Sequence, residues 1–176
     1  MTAGYESIRP LIAQNIRYAF SHGVLAVRDG GDAHGHVLRY VRDNGGQGKE
    51  PVLVKTTGKA WHQKGRYGSM LGRYPGSEAT LATAFTRAPD PVDQVKVINS
   101  GTNSLSAFAR ETPPQFTLAE MQELVRQAGQ QGKKVMVHAN GELPVRIAIE
   151  AGCHSIEHGY FMGRENLARM AEQGTG

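Results

Sequence analysis

The sequence predicts an α/β fold: short parallel strands in one sheet, each followed by a helix. Three observations predict it. One layout recurs along the chain, a helical pattern, a glycine, a short apolar strand, then glycine or small polar residues. The strands are apolar at successive positions, as in Val52-Leu-Val54 and Val135-Met-Val137, the pattern of strands covered on both faces. Strand and helix alternate along one chain, which implies right-handed crossovers and a parallel order.

Residues 5–21 read as the first helix, with Ile8, Leu11, Ile12, Ile16 and Ala19 on one stripe. Gly23 ends it, and Val24-Leu-Ala-Val-Arg-Asp-Gly-Gly31 reads as a buried strand running into a loop. A helical piece over 34–44 stops at Gly45-Gly46, and Pro51-Val-Leu-Val-Lys-Thr-Thr-Gly58 is the second strand and its loop. Residues 58–77 are rich in Gly, Tyr and His and show little periodicity, so they read as a functional loop. A helix over 78–88 leads to the third strand, Val95-Lys-Val-Ile-Asn-Ser-Gly101. A second irregular loop holds Pro113-Pro114. Thr117-Leu-Ala-Glu120 then forms a capping box. The helix behind it carries Leu118, Met121, Leu124, Val125 and Ala128 on one face and closes at Gly132. The fourth strand ends in His138. A short helix follows with Pro144 near its first turn, and Gly152 lies after its end. The fifth strand ends in His158, and a last helix over 164–173 stops at Gly174.

The chain has 176 residues, 39% hydrophobic and 20% charged, enough for one domain, 1–176, with a core of its own. No apolar run approaches the ~20 residues that span a bilayer, and the first ten residues lack a signal-peptide layout. A single cysteine, Cys153, excludes an intrachain disulfide; the expectation is a cytoplasmic protein. Cys153 itself follows a helix stop and reads as a small core residue. The charge of +4 comes from scattered basic residues, not a clustered face, so neither nucleic acid nor membrane is an expected partner. No Gly-X-Gly-X-X-Gly or Walker-type loop follows a strand, which disfavours a phosphate-binding doubly wound domain.

His138 and His158 end two consecutive strands, and each is followed within three residues by glycine. In parallel α/β folds the chemistry sits at the C-terminal ends of the strands. Two imidazoles there can approach one metal ion, and neutral imidazole is a common zinc ligand. The alternative is a pair of hydrogen-bonded histidines at strand ends.

The blocks Val24–Gly31, Val95–Gly101, Lys134–Gly141 and Ala148–Gly159 resemble the metal-dependent amidohydrolase superfamily, in its branch of imidazolonepropionase-like enzymes and metal-dependent prolidases. The resemblance implies a (β/α)8 barrel. This chain would supply a partial barrel of about five strand–helix units, barrel strands 2 to 6. It implies His138 as the metal ligand ending the fifth barrel strand and His158 as the one ending the sixth. Lys96 falls where two-metal members carry a carboxylated lysine. A carbamate can donate oxygens to a cation, which an ammonium cannot; a solvated or ion-paired lysine is the alternative, and Lys55 is a competing position. The implied cofactor is zinc, one or two divalent ions. The implied activity is hydrolysis of a carbon–nitrogen bond in a small molecule by a metal-activated water.

Two parts of the family pattern find no match. His34-Gly-His36 has the letters of the first His-X-His motif but follows a turn and starts a helix, so it reads as a coincidence. The proton-shuttle aspartate of the eighth strand has no counterpart, and a barrel takes about 250 residues. No catalytic residue is therefore assigned, and the chain alone is expected to be weakly active or inactive. The rival expectation is a non-catalytic binding or assembly module, with a second chain covering open sheet edges.

His62, Arg66 and Tyr67 in the 58–77 loop are candidate substrate contacts; Arg66 has the two-bond fork that suits a carboxylate. Asn140 and Tyr160, each two residues past a candidate ligand, are candidates to line the same mouth. His154 reads as a surface residue. Glu157 is expected to point to the helix layer, by alternation from His158.

Overall fold

The computed structural model describes residues 4–44, 50–77, 79–88, 90–104 and 106–176. The elements follow in the order α1 (Tyr5–Ser21), β1 (Ala26–Arg28), α2 (His36–Asp43), β2 (Leu53–Lys55), β3 (Ala60–Trp61), β4 (Gly72–Arg73), α3 (Leu81–Arg87), β5 (Val95–Ile98), α4 (Leu118–Gln130), β6 (Val135–Ala139), α5 (Glu142–Glu150), β7 (Ser155–His158) and α6 (Gly163–Gln173). The expected turn at Gly45-Gly46 and the start of the expected third helix at Glu78 lie outside the described residues.

Among the described residues every strand pairing is parallel. β1 pairs with β2, and the second sheet runs β4-β3-β5-β6-β7. β2 and β3 act as two halves of one barrel stave. The lower half pairs with β1, and the upper half meets β5 through Trp61 and Val97. Gly58, at φ +63°, makes the offset between them; a Cβ there would press on Val92 and Leu38. The 58–77 stretch is therefore not wholly irregular, as its lack of periodicity suggested. It holds β3 and β4, and two-residue strands are too short to carry a period. Gly72 permits β4, because a side chain there would run into the Ala60 carbonyl.

Alternation sorts the strands into two layers. Val95, Val97, Val135, Val137 and Ala139 join the main core under α3, α4 and α5, with Phe116, Met121 and Leu124. Lys96, Ile98, Met136 and His138 line a cavity on the other side. A smaller core of Tyr5, Ile16, Tyr40, Val52 and Val54 joins α1 and α2 to β2. β1 is not the buried strand its apolar run suggested: Val24 and Leu25 are exposed, because among the described residues β1 pairs as a strand with β2 alone. The sheet nonetheless curls into a barrel section. Arg28 on β1 donates to Ser155 Oγ at 2.7 Å and Glu157 Oε1 at 3.0 Å, both on β7 at the opposite end of the strand order.

The capping box is present. Thr117 Oγ1 accepts from Glu120 N at 3.3 Å, and Glu120 Oε2 accepts from Thr117 N at 2.9 Å. Thr117→Ala removes one of these and is expected to cost about 1 kcal/mol, read from the urea midpoint.

Candidate metal centre

β6 and β7 bring His138 and His158 together. Their ring centres lie 4.8 Å apart at 73°. Two imidazoles on one tetrahedral zinc, at ~2.0–2.1 Å, have ring centres roughly 5 Å apart, a spacing this edge-to-face pair matches. The two residues reach this meeting point differently. His138 faces inward by ordinary strand alternation. His158 is in register with Ala139, whose side chain is in the core, and so belongs to the outward parity. Its backbone, however, adopts φ +76°, a left-handed conformation rare in a residue with a Cβ. That turn brings its ring back over the cavity.

The same reasoning corrects Glu157. It is in register with His138 and lines the cavity, where Arg28 holds it; it does not point to the helix layer. Alternation counted from His158 gives the opposite face, because His158 is the residue that breaks it. Counting from the His138 register would have found Glu157.

The cavity measures about 360 Å³, and Arg28, Tyr67, Lys96, His138, Glu157 and His158 are among its lining residues. Lys96 is 5% exposed and sits one alternation step below the strand end, in register with Met136. Burial pushes its amine down to about 8, against a smaller opposing pull from Glu157. Lys55, the competing lysine, does not line the cavity; it pairs with Asp93 at 3.6 Å.

His138 is 5% exposed, and burial holds its imidazole down to about 4, so it is neutral at pH 7. Its Nε2 meets the Gly101 carbonyl at 3.0 Å. A carbonyl only accepts, so the single proton of the neutral ring sits on Nε2 and Nδ1 keeps the lone pair. A carbonyl partner on the second nitrogen is what metal-binding histidines ordinarily have.

The other candidates separate. Tyr67 lines the cavity with its ring 5.3 Å from that of His138. Tyr160 is exposed and stacks on His158 at 6.4 Å and 11°. Arg66 donates to the Pro113 carbonyl at 2.9 Å and so ties the two mouth loops. His62 is buried outside the cavity lining, with Nδ1 2.8 Å from the Gln63 carbonyl, and packs against Gly68. Asn140 is also buried, and its side chain accepts from Tyr160 N at 3.0 Å, fixing the loop after β7. Each thus has one polar atom engaged by the backbone. His34 and His36 open α2, away from the imidazole pair. Cys153 is buried in the core, and its thiol is pushed up to about 12. His154 is exposed as expected.

Two buried residues escaped sequence inspection. Asn99 Oδ1 accepts from Gln115 N and Phe116 N. Gln115 Oε1 accepts from Gln63 N, and its Nε2 donates to the Tyr67 and Ser100 carbonyls. Together they set the loops that carry Tyr67 and Gly101. No spacing marks them; only the adjacency of Asn99 to the end of β5 hinted at a role.

Among the described residues, no group of three or more His, Cys, Asp or Glu is placed to hold a metal ion. The donors present are two imidazoles and the Lys96 amine, a set that fits a metal when the amine is carboxylated.

The curved parallel sheet, with paired imidazoles at its C-terminal mouth, is a section of a (β/α)8-type barrel. The chain belongs to the amidohydrolase family, whose pattern it matches over residues 6–173. An 83-residue stretch is 32% identical to ochratoxinase of Aspergillus niger, covering 46% of this chain and 16% of that protein. A Xaa-Pro dipeptidase crystallised with methionine in its active site superposes with a TM-score of 0.76 at 26% identity, over 99% of this chain and 47% of that one. The crystal structure of A. niger ochratoxinase superposes at 0.72 and 21% identity, over 96% and 44%, a likeness of fold. The chain thus spans less than half the length of these structures. Among the described residues, no helix is long and apolar enough to cross a membrane.

Proposed function

We propose that this chain carries the metal-holding section of a hydrolase acting on a carbon–nitrogen bond of a small molecule, such as an amide, cyclic amide or dipeptide. The convergence of His138 and His158 at 4.8 Å carries the reading. Family membership and the likeness to a Xaa-Pro dipeptidase support the bond type. His138, His158 and a carboxylated Lys96 would hold one or two divalent ions, with zinc as the first choice for nitrogen-rich ligands. When bound, the metal supplies Lewis acidity that polarises a carbonyl. The chain's own residues prepare the site. Gly101 orients His138, and burial keeps that ring neutral. Tyr67 packs its ring against that of His138 at a 44° tilt. Arg28 holds the Glu157 carboxylate at the cavity wall. His62, Arg66, Tyr67, Asn140 and Tyr160 are the proposed substrate contacts.

A second reading has an observation in its favour. The described residues gather two imidazoles and no third metal-binding carboxylate, histidine or thiolate. The chain would then be a binding or assembly module, completed by another polypeptide along the edges of β1 and β7. Zinc content separates the readings. Purified chain is expected to hold zinc near stoichiometry when bicarbonate is supplied, and His138→Ala and His158→Ala are each expected to lower affinity by a factor of about 100 or more. Zinc content unchanged in both variants would remove the metal site.

A further inference from the structure

Three consecutive residues of the loop between β5 and α4 each hold a different part of the mouth. Glu111 Oε1 accepts from Glu142 N at 3.2 Å, at the start of α5. Thr112 Oγ1 accepts from Gly101 N at 2.6 Å, just past the end of β5. The Pro113 carbonyl accepts from Arg66 Nη2 at 2.9 Å, in the loop between β3 and β4. The loop therefore returns over the mouth as a strap stitched down at successive positions. Two glycines let it lie so close. A Cβ on Gly101 would stand 3.0 Å from Thr112 Cγ2, and one on Gly141 would stand 2.9 Å from the Glu111 carboxyl carbon. Gly101 matters to the imidazole pair, because its carbonyl meets His138 Nε2 at 3.0 Å. Glycine lacks the side chain that narrows φ and ψ, so the direction of its carbonyl has to be set by its neighbours. Ser100 Oγ donates to that carbonyl at 3.0 Å from the strand side. Thr112 takes the amide of the same residue from the strap side, so both polar groups of Gly101 are engaged.

We propose that Thr112 is a positioning residue for His138: its hydroxyl fixes the Gly101 amide, the Gly101 carbonyl is thereby aimed at the Nε2–H of His138, and the Nδ1 lone pair stays available to a cation. The link to zinc rests on the imidazole pair being a metal site; the aim of the ring is readable without metal. The hydroxyl is the working part. The Cγ2 methyl packs on Gly101, and valine reproduces that packing without an acceptor. Serine keeps the acceptor and gives up the methyl. Glu111 and Arg66 hold the strap on either side of Thr112, so loss of the hydroxyl leaves the strap in place and frees one amide. Partners on the second nitrogen of a metal-binding histidine govern affinity by about tenfold to a hundredfold. Thr112 acts one hydrogen bond further out, which places it at the lower end of that range.

The test reads the His138 ring directly. The full chain is labelled with ¹⁵N-histidine and kept metal-free, and the Nε2–H signal of His138 is assigned by its loss in His138→Ala. Its exchange with water is expected to be roughly tenfold faster in Thr112→Val than in wild type, the scale of one lost hydrogen bond. Thr112→Ser is expected to restore the wild-type rate. A merely structural threonine would not give this pattern, because valine fills the space better than serine does. Backbone amide spectra of both variants check that the fold is kept. An exchange rate unchanged in Thr112→Val, or an acceleration that Thr112→Ser does not reverse, overturns the positioning role. Zinc titration of the same samples reports the metal reading separately, with the dissociation constant expected to rise about tenfold in Thr112→Val. Faster ring exchange in a chain that binds no zinc retains the positioning role and sinks the metal site. Zinc binding with the same constant and the same ring exchange in wild type and Thr112→Val does the reverse.

Discussion

Replacing Lys96 by methionine is expected to stabilise the metal-free chain at pH 7 by about 2–3 kcal/mol. The reason is the cost of an ammonium at 5% exposure. Among the described residues its Nζ makes no hydrogen bond and no ion pair within 4.0 Å, because Glu157 is engaged by Arg28 instead. Burial lowers its pKa from 10.5 to about 8. Between those two values the unfolded chain binds more protons than the folded chain, so stability rises with pH across that window. Below about 8 both states are protonated and the full penalty applies. Methionine keeps most of the stem and removes the charge. Urea midpoints of wild type and Lys96→Met in carbonate-free buffer should therefore differ most at pH 7 and converge towards pH 10.5. A wild type more stable than the variant at pH 7 would mean that the amine has an anionic partner, and the buried-charge account would fail. A residue that destabilises its own fold needs a reason to be there, and a carboxylated ligand to a cation is the proposed one.

The sequence exposed the frame of this fold unevenly, and the exceptions share a physical cause. α4 was legible because Thr117, Glu120 and the stripe Met121, Leu124, Ala128 are set by local geometry, and all are realised. α1 and α6 were legible from periodicity and from Gly23 and Gly174, both left-handed in the structure. His138 was legible because β6 obeys simple alternation. Failures came where tertiary context overrode local pattern. The exposure of β1 depends on which strand lies beside it, which its own residues do not encode. The split of one stave into β2 and β3 depends on Gly58 being left-handed, and many glycines in this chain could have been. Glu157 was misassigned because His158 departs from strand geometry at the one position used as reference. His62 and Asn140 show a further part the sequence hides: backbone groups engage His62 Nδ1 and Asn140 Oδ1, contacts that no local pattern encodes.

Asn99→Ala should have the largest destabilising effect among the polar substitutions considered, about 2–4 kcal/mol. Asn99 has 0% exposure and lies one residue past β5. Its Oδ1 accepts from Phe116 N at 2.9 Å and Gln115 N at 3.2 Å. Gln115 N has a second acceptor in the Asn99 carbonyl at 3.0 Å, so the substitution strands chiefly the Phe116 donor in the core. It also leaves space beside Phe116, which is fully buried. The consequence reaches the site through a short path. Asn99 fixes residues 115 and 116, Gln115 fixes the Tyr67 and Ser100 carbonyls, and the adjoining Gly101 carbonyl fixes the proton of His138. Loosening that path should weaken the proposed zinc site as well as folding. Asn99→Asp separates the two effects, because it keeps the acceptor while adding a buried charge near neutral pH. Its stability is expected to recover as the pH falls and the carboxyl protonates, whereas Asn99→Ala should show no such recovery. Equal stability of Asn99→Ala and wild type would mean that the loop between β5 and α4 does not depend on this side chain, and the proposed support for His138 would have to come from elsewhere.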